Sequence, residues 1–268
     1  MLNTKKMKII IVEGISELQF LNFLTSNFCK SNCIKPLENE ILKKCIKEKT
    51  IVKKNVYSCQ NDTLLALDFE GKCNITAINI NQVLSAINEE NVGLKFEVLI
   101  IVDNDTDPKI TLEYLKSVIK KLKEGVEQNQ QDIMDIDSKY QLESIQTLAL
   151  PNNQSAGCLE NLIINILPQE SLQCFNDLIS CLKNSTQLLP NENTIAKLKL
   201  NYYNTFFTQQ GKTDIKTSIK NILENISKQY KHFLPDIEQN PDIKNIIDKL
   251  STLIGKTIDV NHPPLEGG

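Results

Sequence analysis

The 268-residue chain contains no arginine and no tryptophan, and it has only two histidines. Arginine is the side chain best suited to bidentate contacts with phosphates and base edges, so any nucleic-acid binding must use lysine, backbone amides or a metal ion. The 30 basic residues are all lysines, and 33 acidic residues bring the formal net charge to −3. This balance excludes recognition of nucleic acid through a globally basic surface.

Long apolar segments are also missing. No segment approaches the roughly 18 apolar residues that a membrane span requires. The apolar run at residues 9–12, before Glu13, is too short for the hydrophobic region of a signal peptide. We therefore expect a cytoplasmic protein that has no membrane partner.

Zinc-binding sequence patterns are absent as well. The eight cysteines include no Cys-x-x-Cys pair, which zinc ribbons and zinc fingers typically use. We expect reduced and mostly buried thiols. His232 and His262 lie far in sequence from the acidic residues considered below, which favours a surface or core role over metal ligation.

Two mainly apolar stretches, residues 8–12 and 96–102, predict strands buried on both faces of a parallel sheet, and residues 144–150 are expected to form a third strand. Ser16 is the expected N-cap of a helix after the first of these strands. Around them the patterns predict short strands within 50–59 and 64–69, helices at 41–46, 80–88, 110–123 and 159–167, and a loop at 124–140. After about residue 170 the periodic segments are helical, at 171–183, 192–208, 213–230 and 241–254.

This alternation predicts an α/β protein with a mainly parallel sheet flanked by helices, followed by a helical C-terminal extension. We place the core at residues 1–170 and the extension, packed on that core, at residues 171–268. In parallel sheets ligands bind outside the carboxyl ends of the strands. Glu13, Asp103, Asp105 and the loop at 151–160 are expected at that edge.

Carboxylates grouped at one edge repel one another, and their pKa values rise unless a cation lies among them. Oxygen ligands of this kind suit Mg²⁺ or Mn²⁺. A pair of such ions could polarise a phosphoryl oxygen and activate a nucleophilic water. The acids therefore predict a divalent-metal site.

The arrangement of these acids resembles the Toprim domain, the catalytic fold shared by topoisomerases, primases, the ribosomal-RNA maturase family and OLD-family nucleases. The matching features, within residues 7–167, are Glu13-Gly14 after the first strand and Asp103-Asn-Asp105 after a later one. The OLD-like branch and its small stand-alone relatives are the most similar. They have a second acid three residues past the glycine, matched by Glu17, and a Glu at the start of a later helix, matched by Glu160.

The resemblance implies metal-dependent cleavage or rejoining of phosphodiester bonds in DNA or RNA. Glu13 would be the acid/base and a metal ligand, Asp103 and Asp105 the principal metal ligands, and Glu17 and Glu160 further ligands. OLD-type nucleases also use a lysine beyond the core, which we assign to Lys212. The Walker A sequence of full-length OLD proteins is absent, which leaves a protein partner such as an ATPase open.

Two functions remain in view. The first is a metal-dependent nuclease acting in phage defence or RNA processing, and the second is a catalytically degenerate Toprim-like module that binds nucleotide or nucleic acid. A receiver domain is disfavoured because it carries an acid pair after its first strand, where this chain has Glu13-Gly14. Solvated strand ends are the structural alternative for the three core acids. For Asp107 that alternative is a helix cap, and for Glu17 and Glu160 it is a favourable interaction with a helix dipole.

Overall fold

The protein is described here from a computed structural model that covers nine segments of the chain. The described residues are 6–29, 35–59, 63–90, 93–131, 140–152, 154–185, 191–207, 219–230 and 232–254.

A six-stranded sheet forms the centre of the fold. Its strands are β1 (Lys6–Val12), β2 (Lys35–Pro36), β3 (Val56–Cys59), β4 (Leu64–Asp68), β5 (Lys95–Asp103) and β6 (Gln141–Leu150). They lie in the order β2-β3-β4-β1-β5-β6. Strands β4, β1, β5 and β6 are parallel, and β2 and β3 add an antiparallel edge. The predicted α/β class with a mainly parallel sheet is confirmed.

Ten α-helices belong to the described part of the chain. They are α1 (Ile15–Phe28), α2 (Glu40–Lys49), α3 (Ala77–Glu90), α4 (Pro108–Gln131), α5 (Leu159–Ile166), α6 (Gln173–Ser185), α7 (Glu192–Phe207), α8 (Ile219–Gln229), α9 (Phe233–Gln239) and α10 (Pro241–Ile254). Short 3₁₀ turns occupy Lys72–Asn74 and Gln169–Leu172.

Both faces of the sheet are covered, which explains why its central strands are continuously apolar. Successive side chains of a strand point to opposite faces. Ile9 and Ile11 of β1 accordingly join one apolar cluster, with residues of α2, α3 and α4. Ile10 and Val12 join the other, with residues of α1, α5, α7, α8, α9 and α10. The helices after residue 170 thus share a core with the sheet, and the division of the chain at residue 170 stays a prediction.

Two local predictions were wrong, and one helix was not predicted. Helix α1 begins at Ile15 with Gly14 at its N-cap, so Ser16 lies inside the first turn and does not cap it. The loop predicted from residue 124 begins after Gln131 at the earliest, because Glu, Lys and Gln are good helix formers and their polarity alone does not end α4. Helix α9 falls between the predicted helices at 213–230 and 241–254 and was not predicted, and its Pro235 lies in the first turn, where proline is tolerated.

Candidate metal centre

Glu13 and Asp103 meet at the carboxyl edge of the sheet because β1 and β5 are neighbours. Val12 pairs with Ile101, so the next residue, Glu13, lies beside the end of β5. The backbone N–H of Asp103 donates to Glu13 Oε2 at 3.2 Å. Two buried strands therefore hold these two acids in fixed register.

Glu17 reaches the same edge from the first turn of α1. Its side chain is only 6% exposed. A Cβ atom at Gly14 would lie 3.2 Å from Glu17 Oε2, so the glycine leaves room for this carboxylate. A side chain at the N-cap of α1 would therefore crowd this carboxylate.

Helix α5 supplies the other side of the site. The backbone N–H of Leu159, in its first turn, donates to Asp103 Oδ1 at 3.0 Å. One carboxylate oxygen each from Asp103 and Glu160, together with the Cys158 sulfur, lie within 4.8 Å of one another. These three side chains form a group that could hold a metal ion.

The turn after β5 is tied to the loop that precedes α5. Asp105 has a left-handed backbone with φ of 55°. It exchanges two backbone hydrogen bonds with Gly157, of 2.8 and 2.7 Å. The Asn104 side-chain amide donates to the carbonyls of Ser155 and Asn152, and the first of these bonds is 2.7 Å long. The loop that positions Cys158 and Glu160 is thereby held against the Asp103–Asp105 turn.

Asp105 is placed differently from the other acids. Its carboxylate is half exposed and forms an ion pair with Lys72, with Nζ 2.5 Å from Oδ2. The backbone around Lys72 is anchored, since the Gly71 N–H donates to the Glu13 carbonyl at 2.7 Å. The Tyr114 hydroxyl donates to the carbonyl of Lys72 at 3.1 Å.

The acids of this centre repel one another in a poorly hydrated setting. Burial, reinforced by the charges of Glu17, Glu13 and Glu160, raises the pKa of Asp103 to about 9. Burial, together with the charges of Glu13 and Glu160, raises the pKa of Glu17 to about 7. Burial also raises the pKa of Glu13, against hydrogen bonding by Asp103 and the charge of Lys72. A cation among these groups would favour their charged forms.

The donor set fits a hard divalent cation. In the absence of a cation, burial and the nearby Glu160 raise the pKa of the Cys158 thiol to about 12. The thiolate is the form of cysteine that binds metals. Carboxylate oxygens are the more numerous donors of this centre, and Mg²⁺ and Mn²⁺ are suited to such ligands.

We predict that the metal-free protein becomes less stable as the pH rises from about 5 to 9. Unfolded carboxyl groups lose their protons near pH 4. The folded protein keeps them on Glu17 and Asp103 until about pH 7 and 9. The folded state thus binds more protons in this window, so the free energy of unfolding falls with increasing pH.

Urea unfolding in the presence of a chelator, between pH 5 and 9, measures this decline. Asp103→Asn should flatten its alkaline part, whereas Asp107→Asn should follow the wild type. Stability that increases from pH 5 to 9 would contradict the assigned electrostatics.

The structure brings together four of the predicted site residues: Glu13, Glu17, Asp103 and Glu160. Asp105 lies beside this group, on its Lys72 side. Lys212 and His262 lie outside the described residues, so the assignment of Lys212 stays a prediction.

The two remaining candidates, Asp107 and His232, lie at the starts of helices. Asp107 accepts a hydrogen bond from the Lys109 N–H at 2.8 Å and so caps the start of α4. His232 is exposed at the start of α9.

Sequence reasoning missed Lys72 and Cys158. Lys72 follows β4, and β4 is next to β1 in the sheet. Its position after a strand would have placed it near Glu13 if the strand order had been known. Cys158 lies between Gly157 and Glu160, inside a stretch already singled out for its glutamate. Its thiol donates to Asn161 Oδ1 at 3.0 Å.

Among the described residues, no helix has both the length and the hydrophobicity needed to cross a membrane. No curated protein and no solved structure significantly matches the chain. One family model does match, over residues 7–239, and its description is a protein of unknown function (DUF3226). This stretch covers most of the chain and includes every acid of the candidate centre. The chain therefore belongs to the DUF3226 family.

Proposed function

We propose that this protein is a metal-dependent nuclease of the Toprim type, most similar to the OLD-like branch, that hydrolyses phosphodiester bonds in DNA or RNA. The observation that carries the proposal is the convergence of four carboxylates, Glu13, Glu17, Asp103 and Glu160, at one edge of a parallel sheet. Buried charges of one sign are costly unless they are paired or coordinate a metal. The cluster is therefore best explained as a binding site for Mg²⁺ or Mn²⁺.

The roles of the residues follow from their positions. Asp103 has its carboxylate held by the Leu159 N–H and, with Glu160, would hold the ion. Glu17 adds a buried carboxylate from α1. A bound divalent ion would supply polarisation of a phosphoryl oxygen and activation of a water.

Glu13 is the residue of this set best suited to proton transfer. One of its oxygens accepts from the Asp103 N–H, which holds the side chain in place. Burial raises its pKa in the metal-free protein, and a bound cation would favour the charged form that can accept a proton. Glu13 would accept a proton from the attacking water while contributing an oxygen to the metal.

The resemblance to Toprim domains supports the same assignment independently of the electrostatics. It rests on Glu13-Gly14 and Asp103-Asn-Asp105, with Glu17 and Glu160 in the additional positions of the OLD-like branch. We propose a cytoplasmic role in phage defence or RNA processing. A protein partner such as an ATPase would act with it.

A cleavage assay on single- and double-stranded DNA and RNA, in linear and circular form, tests this function. We expect cleavage with Mn²⁺ or Mg²⁺ and none with a chelator. Cleavage of circular substrates would identify an endonuclease. Asp103→Asn should abolish activity, and Asp107→Asn, which removes a charge from the same loop, should retain it. Binding of nucleic acid without cleavage of any substrate would contradict the nuclease and favour the degenerate module.

A further inference from the structure

Lys72 places a cation beside the acidic centre. Its side chain is 21% exposed, and its ammonium contacts the half-exposed Asp105. Its charge also acts to lower the pKa of Glu13, which burial raises. Lys72 is therefore a partly exposed cation that acts on both the half-exposed Asp105 and the buried Glu13.

The backbone of Lys72 is held by hydrogen bonds, and its ammonium is held by an ion pair with Asp105. The carbonyl of Lys72 accepts from Tyr114, and the preceding Gly71 donates to Glu13. The long stem of a lysine carries a rotatable ammonium with three donors, which can move over a few ångströms without a change of backbone. The only ion pair that the structure gives this ammonium, among the described residues, is the one with Asp105.

The ammonium of Lys72 occupies Oδ2 of Asp105, and a divalent ion bound to that same oxygen would repel it. We propose that Lys72 exchanges partners: a divalent ion at Asp105 displaces its ammonium, which then binds a phosphate of the nucleic acid. This inference rests on the proposed nuclease function and adds a phosphate-binding residue to it. The absence of arginine from the chain leaves phosphate contacts of this kind to lysine.

The exchange predicts effects of opposite sign for Lys72→Met. Affinity for Mn²⁺ should rise roughly two- to fivefold, the factor that corresponds to loss of a partly exposed ion pair. Affinity for an oligonucleotide should fall roughly tenfold, as expected for a lost charge-assisted hydrogen bond. The slope of log affinity against log salt should become shallower by about 0.9 for duplex DNA or about 0.7 for a single strand.

Calorimetric titration with Mn²⁺ measures the first effect. Oligonucleotide binding with Mn²⁺ at several salt concentrations measures the others, in a Glu13→Gln background that keeps the substrate intact. Lys72→Arg retains the charge and should preserve the salt slope. Lys54→Met removes a lysine that pairs with Glu70 at 3.4 Å on a neighbouring loop, and it should change neither affinity.

Weaker binding of both Mn²⁺ and oligonucleotide by Lys72→Met would overturn the exchange, because it would mean that the lysine only maintains the local structure. An unchanged salt slope would also overturn it. If the Glu13→Gln protein binds the oligonucleotide, these results overturn only the proposed role of Lys72 and leave the nuclease proposal in place. Failure of that protein and of the wild type to bind any oligonucleotide, with Mn²⁺ binding intact, would instead overturn the nuclease proposal.

Discussion

Glu13→Gln is expected to slow nucleic-acid cleavage by about 10²- to 10⁴-fold, the usual contribution of a general acid/base. Glutamine keeps the size of the side chain and an oxygen that can accept from the Asp103 N–H. It removes the group that takes up a proton. Affinity for the same oligonucleotide should stay similar or increase, because one negative charge no longer repels the phosphates.

The measurement pairs cleavage rate with affinity, in Mn²⁺, for wild type and Glu13→Gln. Glu113→Gln is a matched control, since it makes the same change on an exposed position of α4. It should change neither quantity. Cleavage that survives Glu13→Gln at the wild-type rate would show that another group moves the proton.

Binding of Mn²⁺ or Mg²⁺ is expected to stabilise the folded protein by roughly 2.7 kcal/mol when the ion exceeds its dissociation constant a hundredfold. Asp103→Asn should lose most of this stabilisation. The substitution removes a carboxylate that lies against both Glu160 and the N–H of Leu159 at the centre of the site. Asp105→Asn should reduce both the metal response and the activity.

Melting temperatures with a chelator and with millimolar metal, for each variant, give the result. Asp107→Asn is the control, because it removes a carboxylate two residues beyond Asp105 that caps α4, and asparagine can also cap a helix. An equal rise in wild type and Asp103→Asn would show that the ion binds elsewhere on the protein.

The amino-acid sequence by itself was sufficient to predict the class of fold and the edge on which the site lies. Residues 9–12 and 98–102 are continuous apolar runs, and only strands covered on both faces bury such runs completely. Each run ends in an acid, and parallel strands end at a common edge. The positions of Glu13 and Asp103 at the carboxyl edge therefore followed from local pattern, without knowledge of the strand order.

Tertiary structure alone decided which side chains meet there. The order β4-β1-β5-β6 places the Lys72 loop beside Glu13 and pairs Lys72 with Asp105, whereas the sequence had suggested Lys212 for the cation. Packing of α1 and α5 determines how deeply Glu17 and Asp103 are buried, and hence the pKa values of their carboxyl groups. The spacing of apolar residues along the sequence shows which face of a helix or strand is apolar. The neighbours of that face depend on how the crossover helices pack, and that is a property of the whole chain.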